Sequence, residues 1–555
     1  MTTHHFTIET ADYTGYVDGK EKEIKKTGNT DEEIDKINIA LDVFWEHREK
    51  LSGKFHELDL WDNQDDEPLL FYPFSIEDSK DLKENRYNED RFILEMRRKD
   101  NAYTLKTGCL MGFISATFKK DDKDPDSDDY HFNIYIHSRF DGDWYQKGAN
   151  EEPDSKNPKI RYDGTDEILT ERENNNAGLS KDFFLHYMLQ RVLNINVSRN
   201  SSVGEDDSNL ELMMYFFPAM LRRAMKQGFY KHYVHHEYND ARVRGAIDVS
   251  RHIATNYPFC GIIAYSATEY DYDNPLTQLV RHTIEYIRRH EWASELLSQT
   301  EETRQDVRDI VENTERYHSN ERQRIIKQNM RLINHPFYTE WRPLQNLCLA
   351  ILRHDDLRYD RANDEDRIHG VLFDGPWLWE NYLWEVFEEY KLGFKHPDNT
   401  TAKEGIDDGK TRRYPDFYLR NNRISIPNKN EFYAKEIWDG KFKPGYEKKD
   451  INSADRLQLI GYMYIMSKRC EVDKNPCECH LCDTAGIVSP VIVKESSLNG
   501  PIELTGLGGK LYKWQLKIAS GCSNFNSFRK EMKGNEGKFI EAYRKEFHPE
   551  QLSLN

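Results

Sequence analysis

The 555 residues carry 78 Lys+Arg against 97 Asp+Glu, a formal net charge of −19, with 37% hydrophobic and 12% aromatic residues. That is enough apolar material for folded cores and too much length for one ordinary core, so two or three domains are expected. No apolar run reaches the roughly 18 residues of a membrane span. The N-terminus lacks the basic, apolar and small-residue regions of a signal peptide, so the expectation is a cytoplasmic protein that does not enter a membrane.

In chain order, residues 32–51 repeat apolar side chains at helical spacing, with Ile34, Ile37, Leu41 and Phe44 on one side. Residues 69–138 change to short runs rich in strand formers, "RFILEMRR", "CLMGFISATF" and "YHFNIYIHSRF", which predict an antiparallel β-rich region. Asp124, Asp126 and Asp128 alternate between two of these runs, but the glycine and glutamate of an EF-hand are missing, and a solvated hairpin loop is expected. The polar stretch 147–178 reads as a surface insertion. "NLELMMYFFPAMLRRAMKQGF" predicts a strong helix interrupted by Pro218, and 274–356 is largely helical by periodicity. The last portion alternates strands and helices, as a mixed α/β domain should.

The fold expected is therefore multidomain α+β. A β-rich region spans 1–205, a mainly helical region 206–365, and an α/β domain with a mixed central sheet 366–555. Charge divides along similar lines: residues 371–555 hold 28 Lys+Arg against 27 Asp+Glu, leaving 50 against 70 for residues 1–370. Only the C-terminal third is electrostatically fit to approach a phosphate backbone unaided.

Within that third, "DGPWLWENYLWEVFEEYK" predicts a helix capped by Asp374 with Pro376 in its first turn. Glu380 has Leu383, Trp384 and Phe387 as helical neighbours, so this carboxylate points along an apolar face and needs a partner. Glu385 falls on what reads as a solvated side. Asp416 follows a proline at the start of one apolar run, and Asp439 and Lys441 share a face of the next, being two apart in an extended strand. Three acids and a lysine at one end of a small sheet suit phosphodiester hydrolysis. Asp416 and Asp439 would hold Mg²⁺, with the Gly440 carbonyl as a further hard ligand, and Lys441 would orient or deprotonate water and offset phosphate charge. Gln458 and Tyr462, four apart on the next helix, project together, and Leu457, Ile460, Met463 and Tyr464 are expected to anchor that helix.

In this order the segments "GVLFDGPWLWENYLWEVF", "YPDFYL", "EIWDGKFK" and "DRLQLIGYMY" resemble the PD-(D/E)XK nucleases, and among them the McrC family of McrBC-type modification-dependent restriction systems. The likeness extends upstream through "RVRGAIDVSRHIATNYPFCGIIAYSATEYDYDNPLTQLVRHTIEYI" and covers about residues 205–500. It implies that Asp416, Asp439 and Lys441 are catalytic, that Glu380 supports the metal site, and that Gln458 with Tyr462 forms an accessory QxxxY element. It implies DNA as substrate and a McrB-like AAA+ GTPase as partner, docked through roughly residues 1–200. The sequence carries no GxxxxGK[ST], and "TGLGGKL" at 505–511 has the spacing of a tight turn rather than a P-loop. The rival readings are a non-catalytic assembly factor and GTPase activator with a degenerate nuclease fold, and a stand-alone nuclease.

Two further clusters remain. Cys470, Cys477, Cys479 and Cys482 could close a structural Zn²⁺ site, although the single residue between Cys477 and Cys479 is tighter than usual ligand spacing. His235, His236 and Glu237, in an apparent strand, have no identifiable third ligand and read as ordinary surface or interface residues.

Overall fold

The computed structural model describes residues 2–14, 22–28, 30–47, 73–75, 94–99, 102–121, 124, 127–141, 144–147, 153–165, 182–192, 213–353, 368–397, 406–407, 412–413, 415–420, 434–446, 451–467, 482–492, 494–505 and 508–549. Mixed α/β architecture is divided between two units. One gathers residues 1–66, 76–208 and 370–555, and the other holds 67–75 and 209–369.

The N-terminal part of the first unit is built on strand β1 (Thr3–Ala11). Helix α1 (Asp31–Glu46) follows, with Thr30 accepting the Glu33 N–H and three acidic residues in its first turn, where the helix dipole favours them. Strands β2 (Leu94–Lys99) and β3 (Ala102–Thr107) pair antiparallel. Strands β4 (Leu110–Lys119) and β5 (Asp129–His137) do the same across the acidic loop, so Asp124 and Asp128 lie in a hairpin as expected; Asp126 lies outside the described residues. Strand β6 (Lys159–Thr165) comes from the stretch expected to be a surface insertion. It instead pairs antiparallel with β1, which runs parallel to β5 on its other side. Buried Ile160 and Gly164, separated by polar residues, hide this strand from a hydropathy reading. Phe44 of α1 packs edge-on against Phe132 and Phe118 of the sheet. Helix α2 (Phe183–Val192) is buried along most of its length.

The second unit opens with helix α3 (Phe217–Lys226). Pro218 does not interrupt this helix but starts it, occupying a first-turn position where no N–H is needed. Strand β7 (His232–Asp240), short helix α4 (Val249–Thr255) and strand β8 (Ile263–Asp271) follow, with β7 and β8 paired antiparallel. Helix α5 (Pro275–Arg289) is locked at its start by a capping box between Asn274 and Thr277 and buries Leu276, Leu279, Val280, Ile284 and Ile287. Helix α6 (Trp341–Arg353) completes the predicted helical stretch. In β7, His235 is exposed, whereas His236 is buried and bonded to Asp271 at 3.0 Å.

In the C-terminal part of the first unit, helix α7 (Gly375–Glu389) is capped by Asp374 through the Trp377 N–H. Strands β9 (Phe417–Arg420) and β10 (Ala434–Gly440), helix α8 (Ser453–Ile465), strands β11 (Thr484–Val491), β12 (Ser497–Leu504) and β13 (Gly509–Lys517), and helix α9 (Phe525–Phe547) follow. The sheet order is β9-β10-β11-β13-β12. Its three central strands are parallel and its outer pairs antiparallel, which makes the sheet mixed as expected. The "TGLGGKL" segment joins β12 to β13, an antiparallel pair. Helix α8 covers one face over Ile437, Ala485, Ile487 and Leu511. On the other face, Trp514 stacks on Phe539 of α9 at 4.1 Å and on Phe387 of α7 at 5.2 Å.

Glu536 of α9 is fully buried where α2, α7 and α9 meet. It accepts hydrogen bonds from Tyr187 at 2.7 Å and Tyr382 at 2.8 Å, and Lys533 lies 3.1 Å from its other oxygen. Burial and this carboxylate push both tyrosine pKa values up. Glu536→Ala leaves two buried hydroxyls without their acceptor, and is expected to cost about 1–3 kcal/mol for each. Denaturant titration of the full chain checks this, and an unchanged midpoint would contradict it.

Candidate active site

The register of β9 against β10 pairs Phe417 with Trp438, so one step further along the ladder Asp416 stands opposite Asp439. Two like charges in directly opposed positions oppose strand pairing, and here both are drawn inward. Asp439 is 1% exposed and Asp416 is half-buried. The conflict is relieved in part by the backbone: the Gly440 N–H donates to Asp416 Oδ2 at 2.6 Å. His396 holds the same residue from behind, its Nδ1 lying 2.6 Å from the Asp416 carbonyl oxygen.

Helix α7 brings Glu380 to this point. A Cβ on Gly440 would sit 3.2 Å from Glu380 Cγ, 3.5 Å from Asp416 Oδ2 and 3.6 Å from Trp379 Cδ1, so the bare glycine is what lets the helix approach the strand. Trp379 Nε1 donates to the Val488 carbonyl at 3.3 Å and fixes the helix over the sheet. The same carbonyl accepts the Lys441 N–H at 2.8 Å. Glu385, expected on a solvated side, is half-buried, and burial raises its pKa.

Lys441 turns its ammonium back onto Asp439, with which it forms an ion pair. Gln458 Oε1 accepts from Lys441 Nζ at 3.1 Å, and Gln458 Nε2 donates to the Tyr462 hydroxyl at 3.0 Å. The helix presenting them is capped by Asn452, which accepts the Asp455 N–H at 2.8 Å. All six side chains singled out in the sequence, Glu380, Asp416, Asp439, Lys441, Gln458 and Tyr462, thus belong to one cluster. The anchoring residues differ from the expectation in part. Leu459, Tyr462 and Met463 are buried, while Leu457 is 70% and Tyr464 56% exposed. Apolar residues occur all round this helix, so periodicity alone does not single out its buried side.

The electrostatics follow from the crowding. Burial and then the charges of Asp439 and Glu380 push the Asp416 pKa well above the usual carboxylate range, against the pull of Lys441. Burial works against the Lys441 ammonium, but Asp439 and Asp416 outweigh it and hold its pKa above that of an ordinary lysine. Burial, reinforced by Asp439, raises Tyr462 to about 12, so its hydroxyl stays protonated.

Trp379 and His396, which fix the helix and the Asp416 backbone, stand at no catalytic spacing and escape a reading of the sequence alone. Of the four clustered cysteines, Cys470, Cys477 and Cys479 lie outside the described residues. Cys482 is buried in the core under α8, its thiol pKa pushed up to about 12 by burial.

Solved structures similar to this chain include a refined half-complex from the tetradecameric assembly of Thermococcus gammatolerans McrB AAA+ hexamers with bound McrC. Identity there is 12%, over 95% of this chain and 99% of that one, with a TM-score of 0.37. Another is the cryo-EM structure of the Thermococcus gammatolerans McrBC complex, at 12% identity over 70% of this chain and 89% of that one, with a TM-score of 0.25. No curated protein sequence matches. A family profile described as "McrBC 5-methylcytosine restriction system component" matches residues 158–471. That span exceeds half of the chain and carries Glu380, Asp416, Asp439, Lys441, Gln458 and Tyr462 with it: the protein belongs to the McrBC 5-methylcytosine restriction system component family.

Proposed function

We propose that the protein is the Mg²⁺-dependent endonuclease subunit of a McrBC-type restriction system, with a PD-(D/E)XK site that hydrolyses phosphodiester bonds of 5-methylcytosine-containing DNA. The observation that carries this reading is the meeting of Glu380, Asp416, Asp439 and Lys441 around the Gly440 peptide. The donor types fit magnesium: three carboxylates supply only hard oxygen ligands, and the crowding that pushes the Asp416 pKa up would be relieved by a bound cation in place of a proton. Asp416 and Asp439 would hold the ion, with the Gly440 carbonyl as a further ligand and Glu380 in support. When bound, the ion polarises a phosphoryl oxygen and lowers the pKa of water.

The chain's own residues supply the rest. Lys441 Nζ, held between Asp439 and Gln458, directs its one remaining N–H toward the attacking water or a phosphate oxygen. Gln458 is oriented by the Tyr462 hydroxyl, so the lysine is aimed through a two-step relay of hydrogen bonds. A site so placed works on the one third of the sequence whose charge does not repel DNA.

The partner in this reading is a McrB-like AAA+ GTPase. Residues 1–200 are one proposed docking region. The second unit offers another, because Ile247, Val249, Ile253, Tyr257 and Phe259 are all exposed within thirteen residues, Tyr257 at 86%. An apolar surface of this density, flanked by Arg242 and Arg244, has the chemistry of an interaction site.

Asp439→Ala and Lys441→Ala are expected to lower cleavage of methylated DNA by roughly 10²–10³-fold or more while partner GTP hydrolysis persists. Full cleavage by either variant, measured in the assembled complex, would sink the nuclease reading. Gly440→Val forces a branched side chain against Glu380 and is expected to cost about 1–3 kcal/mol and to depress cleavage with it; a variant as stable and active as wild type removes the close-approach argument. The double variant Val249→Asp with Phe259→Asp should fold normally yet fail to co-elute with the GTPase, whereas unchanged co-elution places the docking face elsewhere.

A further inference from the structure

Arg139 lies in the turn after β5, in the N-terminal β-rich part of the first unit, and is 2% exposed. Its backbone N–H donates to Asp12 Oδ1 at 2.5 Å, and its Nη1 forms an ion pair with the other oxygen of that fully buried carboxylate. The remaining arm of the guanidinium leaves the sheet altogether. Arg139 Nη2 donates to the carbonyl oxygen of Phe442, 303 residues away in sequence and one residue beyond Lys441. Three rings enclose the cation, with centroids at 4.9 Å for Tyr13, 4.3 Å for Phe140 and 4.7 Å for Phe442.

The placement of Phe442 gives this grip its meaning. Lys441 is fixed on its N-terminal side by its N–H to Val488, and the next carbonyl is fixed by Arg139, so the peptide carrying the ammonium is held on both flanks. The Phe442 ring packs 5.7 Å from Phe140 and 6.3 Å from Trp379, the neighbour of Glu380. It also lies where a Cβ on Gly375 would be, 2.6 Å from Phe442 Cε1, so helix α7 begins on a glycine that leaves room for it. A buried ion pair is weak ground for stability, since apolar replacements are often as stable or more so. Arg139 Nε, moreover, meets no acceptor among the described residues. What an arginine does here that an apolar residue does not is to span a carboxylate and a carbonyl with one rigid fork.

We infer that Arg139, anchored by Asp12, is a positioning residue for the reaction centre: it clamps the Phe442 carbonyl and thereby sets where the Lys441 ammonium points. The inference rests on the nuclease reading of Lys441. It makes the N-terminal sheet part of the machinery that aligns the site, beyond any role in docking.

The test uses the full-length chain assembled with its GTPase partner and duplex DNA bearing 5-methylcytosine. Arg139→Lys keeps a cation facing Asp12 but does not span to Phe442. The double variant Asp12→Leu with Arg139→Met replaces the ion pair with apolar side chains and is read wherever the lysine variant fails to fold. Single-turnover cleavage is expected to fall about 10–100-fold, as a displacement of an ångström at a reacting group does. DNA affinity, GTP hydrolysis and melting temperature should hold. A purely structural role predicts the reverse, a lower melting temperature with an unchanged rate per folded molecule. A folded variant cutting at the wild-type rate overturns the inference, as does a loss of DNA affinity equal to the loss of rate. Lys441→Ala, run alongside, separates the two levels: if it still cuts, the nuclease reading fails rather than the clamp.

Discussion

Asp416 and Asp439 face each other across adjacent antiparallel strands, and Glu380 closes on them from a helix packed above. In bulk water three carboxylates at such range would cost little. In a cleft where Asp439 is almost wholly buried, the same repulsion is felt at much lower effective dielectric. Nearly every neighbouring feature answers that repulsion. The Gly440 N–H and the Lys441 ammonium each relieve part of it, and the absence of a Cβ at 440 gives the three carboxylates room to meet.

Strand β10 manages two tasks by alternation. Ile437, Asp439 and Lys441 turn toward α8, where Gln458 and Tyr462 receive the lysine. Glu436, Trp438 and Gly440 turn toward α7 and α9. On that side Tyr543 donates to Glu436 at 2.7 Å, and Trp438 lies edge-on to Trp514 at 5.2 Å. The aromatic face supplies rigidity to a strand whose opposite face carries charge. A polar site anchored on loops alone would have no such backing.

The gathering of these residues was legible in the sequence because it is written at short range. Asp439 and Lys441 are two apart on a strand, and Gln458 and Tyr462 four apart on a helix, spacings that backbone geometry converts directly into shared faces. Asp416 needed only the adjacent strand. What escaped was written at long range or masked by composition. Nothing near His396 announces that it bonds the backbone at Asp416, and nothing near Arg139 points to Phe442. Strand β6 was hidden in a polar stretch, since a strand whose neighbour supplies most of the apolar surface need not be apolar itself. Leu457 and Tyr464 misled because burial on α8 is decided by where the sheet lies, and the helix offers apolar side chains on several sides.

The unit that holds the site is discontinuous, with residues 209–369 belonging to the other unit. Its buried hydrogen bond from Tyr187 to Glu536 closes a span of 349 residues, and the grip on Phe442 closes one of 303. The first waits for residue 536 to be made and the second for residue 442, while domains earlier in a chain generally fold as they emerge from the ribosome. A translation product interrupted before residue 416 therefore carries the N-terminal sheet without Asp416, Asp439 or Lys441.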